Sequence, residues 1–236
     1  NQKSKLDLSK SLYTKGLQCK KALWLKKYKP EILTPPDAQL KATFKTGNEV
    51  GALACGLFPN SREIPYKDTS FKEKISLTQK WLDEGIKNIY EATFNFNDII
   101  VRVDILHQND DGTFEIYEVK SSTWNQNKTI DDIYHYIHDV SIQHYVLTNL
   151  GFQVSDAFIT LLNTDYVRCS KLDLNELFSS VKVTDEVLEL NRDIPTNIES
   201  LRECLNDIKN EPKIDIGYQC KNPYDCDAKN YCWTVQ

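Results

Sequence analysis

Methionine is absent from this chain of 236 residues, histidine occurs only four times, and no long hydrophobic run is present. The longest nearly apolar stretch, Val50 to Phe58, is far too short to span a bilayer, so no membrane association is expected. The first residues, Asn-Gln-Lys-Ser-Lys, lead into no apolar segment, which excludes a secretory signal and predicts a cytoplasmic address. The lack of an initiating Met predicts one domain cut from a longer chain, with further domains as possible partners. Internal repeats and low-complexity tracts are also missing. A positive net charge is lacking too: the value of −5 excludes a protein that coats nucleic acid indiscriminately. The four histidines, His107, His135, His138 and His144, sit in a turn or on helix faces and read as surface or packing residues.

What is present is ordinary for a globular protein: 40% hydrophobic and 27% charged residues, and enough length to bury one large core. The charge is unevenly spread. Residues 1–29 hold nine lysines, from Lys3 and Lys5 through Lys10 and Lys15 to Lys29, against Asp7 alone. That segment carries +8 and the remainder −13. It reads either as a solvated helix face or as a local contact for a phosphate backbone.

Periodicity predicts helices over 11–29, 37–57 and about 70–86, then three strands over 88–96, 99–106 and 113–120. The stretch His107-Gln-Asn-Asp-Asp-Gly112 supplies the turn between the last two. A strong amphipathic helix follows over 129–150, then short strands over 157–162 and 166–169. Helices broken near Asp193-Ile-Pro195 occupy 173–210, and a loop-like tail begins at Gly217. The order implies an α/β fold, a mixed β-sheet flanked by helices. We divide it into a basic helix and loop (1–36), a core (37–170), a helical region (171–216) and a cysteine-rich tail (217–236).

The informative segment is Ile99-Ile-Val-Arg-Val-Asp-Ile-Leu106, the turn, and Thr113-Phe-Glu-Ile-Tyr-Glu-Val-Lys120. A hairpin centred near residue 110 places Asp104 across from Ile116 and diagonal to Glu118. Strict alternation then projects Asp104, Glu118 and Lys120 from one face. Charges on a half-exposed sheet are commonplace, but these interrupt apolar strands, where unpartnered carboxylates are rare. Two such carboxylates suit Mg²⁺ or Mn²⁺, whose incomplete shell leaves room for water and a phosphate. Lys120 is placed to orient or deprotonate that water, or to steady the transition state. Among the tryptophans, Trp124 lies just past Lys120 and is the best candidate to stack on a base.

These residues resemble the D…(D/E)-x-K core of the PD-(D/E)XK superfamily, and the surrounding pattern is similar to its RecB-like nuclease domains. A restriction-endonuclease-like core is what the resemblance implies. Glu91 matches the acidic residue that the family carries on the strand before the core Asp. Gln143 and Tyr145, in Ile142-Gln-His-Tyr-Val-Leu147, resemble its Gln-and-Tyr helix motif. With Asp104, Glu118 and Lys120 these make the implied catalytic set, and the backbone of Val119 joins the two carboxylates as an implied metal ligand. Gly47-Asn-Glu-Val-Gly51 aligns with a helix motif that usually presents a metal-binding His, but Gly51 stands in its place. Glu49 is the substitute oxygen ligand. Val103 replaces the usual proline.

Seven cysteines without a secretory signal argue against a disulfide scaffold. Cys220, Cys226 and Cys232 stand six residues apart in a polar, aromatic tail, where metal ligation is the natural use of a thiol. The tail resembles that of RecB-like nucleases with an iron–sulfur staple, such as the CRISPR-associated exonucleases and the AddB nuclease domain. The resemblance implies Cys19 as fourth ligand to a [4Fe-4S] cluster, with Zn²⁺ as the alternative. Its first spacing departs from their C-x2-C. Cys55, Cys169 and Cys204 read as small core residues.

The function implied is a metal-dependent deoxyribonuclease acting on single strands or duplex ends, as an exonuclease or a single-strand-specific enzyme. A non-cleaving DNA-binding or scaffold module is the alternative. An acid/base hydrolase using Asp104 and Glu118 is disfavoured, because Lys120 would hold both carboxylates ionised.

Overall fold

The computed structural model describes residues 7–65, 67–169 and 171–234; Lys3 and Lys5 of the basic segment lie outside them. A two-residue strand, β1 (Leu8–Ser9), leads into α1 (Lys10–Gln18) and α2 (Lys20–Tyr28). One continuous helix was predicted over 11–29. Cys19 breaks it, with an extended backbone at φ −161° and ψ 115°. Then come α3 (Ala38–Ala54), β2 (Arg62–Glu63), α4 (Phe71–Asp83), β3 (Asn88–Phe96), β4 (Ile99–Gln108) and β5 (Phe114–Trp124). After them come α5 (Ile130–Asn149), β6 (Val154–Asn163), α6 (Leu174–Leu177), β7 (Phe178–Lys182), α7 (Thr184–Asn191), α8 (Ile194–Asn206) and α9 (Lys229–Thr234).

The predicted strand over 166–169 does not form; Val167 is 76% exposed and finds no sheet to enter. Its place in the sheet is taken by β7, inside the segment expected to be only helical. Phe178 is buried there, and the Ser180 hydroxyl meets Thr160 Oγ1 across the strands at 2.9 Å.

The sheet is mixed, in the order β2-β3-β4-β5-β6-β7. The β3–β4, β4–β5 and β6–β7 pairs are antiparallel, whereas β2–β3 and β5–β6 are parallel. The parallel β5–β6 step needs a crossover, which α5 supplies. α5 packs its buried Ile133, Ile137, Val140 and Leu147 into the main core, together with Ala92, Phe94, Val101, Val103 and Ile116. A smaller core on the other face holds Val50 and Ala54 of α3 with Tyr90, Ile105 and Phe178. Among the described residues, no helix is long and apolar enough to cross a membrane.

Gly16 marks the closest helix packing at this end. A Cβ added there would come within 2.6 Å of Leu201 Cδ2 and 2.9 Å of Leu23 Cδ2, both side chains being buried. Gly16→Val is therefore expected to lower the unfolding free energy by about 1–3 kcal/mol, read by urea denaturation. An unchanged midpoint would mean that α1 and α8 are not packed this closely.

Candidate active site

The strand register sets the site. β4 and β5 pair only from Ile105↔Tyr117 to Gln108↔Phe114. This hairpin is centred one residue later than the sequence suggested, because the loop runs through Asn109 to Thr113, closed by the Asn109 N–H on the Thr113 carbonyl at 2.8 Å. Continued one step, the register puts Asp104 opposite Glu118 rather than opposite Ile116. At that step the backbone ladder stops. The Val119 N–H instead donates to Asp104 Oδ2 at 2.8 Å, so a side chain replaces the missing strand partner.

Beyond this point β4 and β5 separate. β3 continues to cover one edge of β4 as far as Phe96↔Ile99. On the other edge, β1 pairs with Ile99 and Ile100 in the place that β5 has left. The residue after β1 is Lys10, delivered to the mouth of the fork.

Glu118 is the centre of the site and is 2% exposed. Lys10 Nζ donates to both of its carboxylate oxygens at 2.8 Å. Lys120 Nζ donates to Oε1 at 2.8 Å, and Gln143 Nε2 donates to Oε2 at 2.6 Å. Lys120 also reaches Asp139 Oδ2 on α5, at 2.7 Å. Burial by itself would raise Glu118, but the two ammoniums outweigh it and hold the carboxyl well below its usual range. Asp104 responds the other way: burial, then the Glu118 charge, pushes it up to about 7. Burial opposes the charge of Lys120, yet Glu118, Asp139 and Asp104 more than compensate, so its ammonium is held well above the normal value. Arranged in this way the Lys120 ammonium is held between the Glu118 and Asp139 carboxylates.

A second irregularity lies beside Asp104. Glu91 has φ +56°, a left-handed conformation that is uncommon for a side chain in mid-strand. By the β3–β4 register it faces Asp104. The inward face of both strands changes phase here: Ala92 and Val103 enter the main core, whereas Tyr90 and Ile105 enter the smaller one. The Glu91 carboxylate pairs with Arg102 at 3.0 Å.

The other expected residues lie elsewhere. Glu49 is on the exposed side of α3, 63% exposed and 3.8 Å from Lys45, away from Glu118 and its partners. Gly51 on the same helix has open space where a side chain would project. Tyr145 packs edge-on against Phe96, with ring centroids 6.1 Å apart, and makes no contact with Glu118. Lys10 and Asp139 were not anticipated. Asp139 stands four residues before Gln143, one helical turn along α5, and that spacing was the signal that could have found it. Three lysines of the basic segment are engaged in ion pairs: Lys15 with Asp227 at 2.6 Å, and Lys21 and Lys29 with Glu211 at 3.2 and 3.0 Å.

Cys19, Cys220, Cys226 and Cys232 line one pocket between the break in the first helix pair and the tail. Cys220 is buried, and burial pushes up the thiols of Cys226 and Cys232. Cys204 lies close by, its Sγ 3.7 Å from the Lys20 carbonyl. Cys55 is half-buried against the smaller core, but Cys169 is exposed and is not a core residue. The tail loop between Cys220 and Cys226 carries Tyr224 to the active-site rim, where its ring lies 5.7 Å from that of His135. Among the described residues, no three His, Cys, Asp or Glu side chains are gathered closely enough to hold one metal ion.

No family model matches this chain, and no curated protein matches it. Among the solved structures similar at low identity are the following. The protein SSO0001 shares 14% identity at TM-score 0.46, covering 100% of this chain and 90% of that one. The alkaline exonuclease LHK-Exo from Laribacter hongkongensis shares 11% at TM-score 0.45, covering 86% and 91%. Its complex with dAMP gives 12% and 0.42, with the same coverage.

Proposed function

We propose that this chain is a divalent-metal-dependent deoxyribonuclease with a RecB-like, restriction-endonuclease-like core. The observation that carries the reading is the convergence of Asp104, Glu118, Lys120 and Gln143 at the point where β4 and β5 part. Asp104 and Glu118 are the hard oxygen donors that would hold Mg²⁺ or Mn²⁺. Gln143 Oε1 is buried beside Glu118 without a partner, an acceptor that a water in the site would satisfy. When bound, such an ion acidifies water and offsets the charge that builds on a phosphate.

The chain's own groups have separable tasks. Gln143 and Lys120 fix the Glu118 carboxylate in place. Lys120, anchored by Asp139, keeps a positive charge where an attacked phosphate would become more negative. Glu91 and Arg102 brace the strand opposite Asp104. DNA is the proposed partner, as single strands or duplex ends.

For the tail we propose a [4Fe-4S] cluster held by Cys19, Cys220, Cys226 and Cys232, with Zn²⁺ as the alternative. Four thiols lining one pocket support this; they stand farther apart than the ligands of a single metal ion and would draw together on loading.

A second reading is favoured by one observation: Lys10 already occupies both oxygens of Glu118. On this view the chain binds DNA without cutting it. The deciding experiment incubates anaerobically prepared protein with labelled single- and double-stranded DNA and Mn²⁺ or Mg²⁺, beside Glu118→Gln and Lys120→Ala. Wild-type cleavage should fall by roughly 100-fold or more in both variants. Equal degradation by all three would show contamination and end the nuclease reading, and binding without cutting would select the scaffold.

A further inference from the structure

Lys10 is unusual in what holds it. Ser9 caps α1 by accepting the Leu12 N–H at 3.2 Å, which fixes Lys10 as the first residue of the helix. β1 fixes the same residue from the other side, through its pairing with Ile99 and Ile100. The ammonium therefore arrives in the β4–β5 fork by construction, and bonds both oxygens of a carboxylate that is only 3% exposed. With Lys120 and Gln143 also donating, Glu118 already has four bonds at its two oxygens. A divalent ion cannot join Glu118 while an ammonium bridges its oxygens, because the two cations would compete for the same lone pairs within a few ångströms, where repulsion is strong. The Lys10 side chain is 21% exposed, and its flexible stem gives the ammonium a route outward.

We propose that Lys10 is a built-in occupant of the metal position: a divalent ion binds Glu118 by displacing it, and the displaced ammonium then meets the phosphate of a bound strand. The inference rests on the metal-site reading above. It assigns a double role to one side chain, holding the Glu118 carboxylate before loading and contacting the nucleic acid afterwards.

Mn²⁺ affinity tests the first role without relying on turnover. Free Mn²⁺ is titrated by electron paramagnetic resonance into wild type, Lys10→Met, Lys10→Gln and Glu118→Gln, with a thermal melt on each. Both Lys10 variants should bind Mn²⁺ about tenfold or more tightly than wild type, as expected for removal of a competing cation. Glu118→Gln should bind little. The second role is read with a phosphorothioate oligonucleotide at saturating Mn²⁺. Loss of one phosphate contact in Lys10→Gln should lower the slope of log affinity against log salt by about 0.7–0.9.

Mn²⁺ affinity that is unchanged or weaker in the Lys10 variants, while Glu118→Gln still loses it, overturns the exchange and leaves the nuclease reading standing. Absence of Mn²⁺ binding from every protein, wild type included, overturns both. If Lys10→Met melts at much lower temperature, Lys10→Gln, which retains a donor toward Glu118, gives the comparison.

Discussion

Glu118→Ala is expected to lower the unfolding free energy by about 3 kcal/mol, while Glu118→Gln should cost clearly less. Both effects follow from the donors gathered on one carboxylate. Alanine would leave two ammoniums and the Gln143 amide around a hole, and stranding a buried ion-pair partner costs roughly 3–5 kcal/mol. The lower end applies because Lys10 and Lys120 each keep 21% of their side-chain surface in water and can be partly resolvated. Glutamine keeps the shape and one acceptor for the lysines. Its new N–H group would face Gln143, whose Oε1 has no partner, so a flip of the Gln143 amide restores a hydrogen bond. Urea denaturation of the three proteins checks the order. A Glu118→Ala protein as stable as wild type would show that the lysines do not depend on Glu118, and the site would then be poorly described by these contacts.

The largest expected effect belongs to the cysteines. If the proposed cluster is present, Cys19→Ser should abolish iron binding and release the tail, whereas Cys169→Ser should change neither. The described polar ties between the tail and the first helices are few and partly exposed: Lys15 with Asp227, and Gln18 Nε2 on the carbonyls of Gln219 and Tyr224 at 2.7 Å. A small apolar cluster of Trp24, Leu25 and Ala228, with Cys226, Tyr231 and Cys232 packed against it, completes the contact. Ligation of four thiols by the proposed cluster would contribute far more, since structural metal sites in small domains supply on the order of 10 kcal/mol to folding. Trypsin should therefore cut Cys19→Ser at Lys221 and Lys229 under conditions where wild type resists. Iron and sulfide analysis identifies the group. Stoichiometric zinc without iron would replace the cluster but keep the staple, while a Cys19→Ser protein with wild-type metal content and protease resistance would remove the staple as well.

The α/β class, the central strands and the shared face of Glu118 and Lys120 were legible in the sequence, because each depends on periodicity within one element, whereas Gln143 came in only through the family resemblance. Three features were not. The fork between β4 and β5 depends on where pairing stops, and alternation continues through Asp104 with no sign of it. The left-handed Glu91 inverts the strand faces locally, so a period of two could not place its neighbours. Lys10 lies 108 residues from Glu118 in sequence, and a lysine among eight others in a basic segment carries no mark of being the buried one. Glu49 is the converse case: a local pattern suggested a ligand, and the helix presents that side chain to solvent, where it pairs with Lys45. β7 was hidden for a related reason, since Phe-Ser-Ser-Val-Lys becomes a strand only when the edge of β6 is available.

The arrangement of β1, α1 and the tail also fixes an order of assembly. Lys10 cannot find Glu118 until more than a hundred further residues have been made, and Lys15 and Gln18 wait for partners 201 to 212 residues away. During synthesis the β3–β4–β5 meander can form from neighbours, whereas the polar ties of α1 to the tail must wait until the chain has passed residue 227. Such distant closures are slow. The sheet at the centre of the molecule can thus be complete before the tail closes on α1, and a chain halted before residue 219 would keep the Lys10–Glu118 pair while lacking those ties.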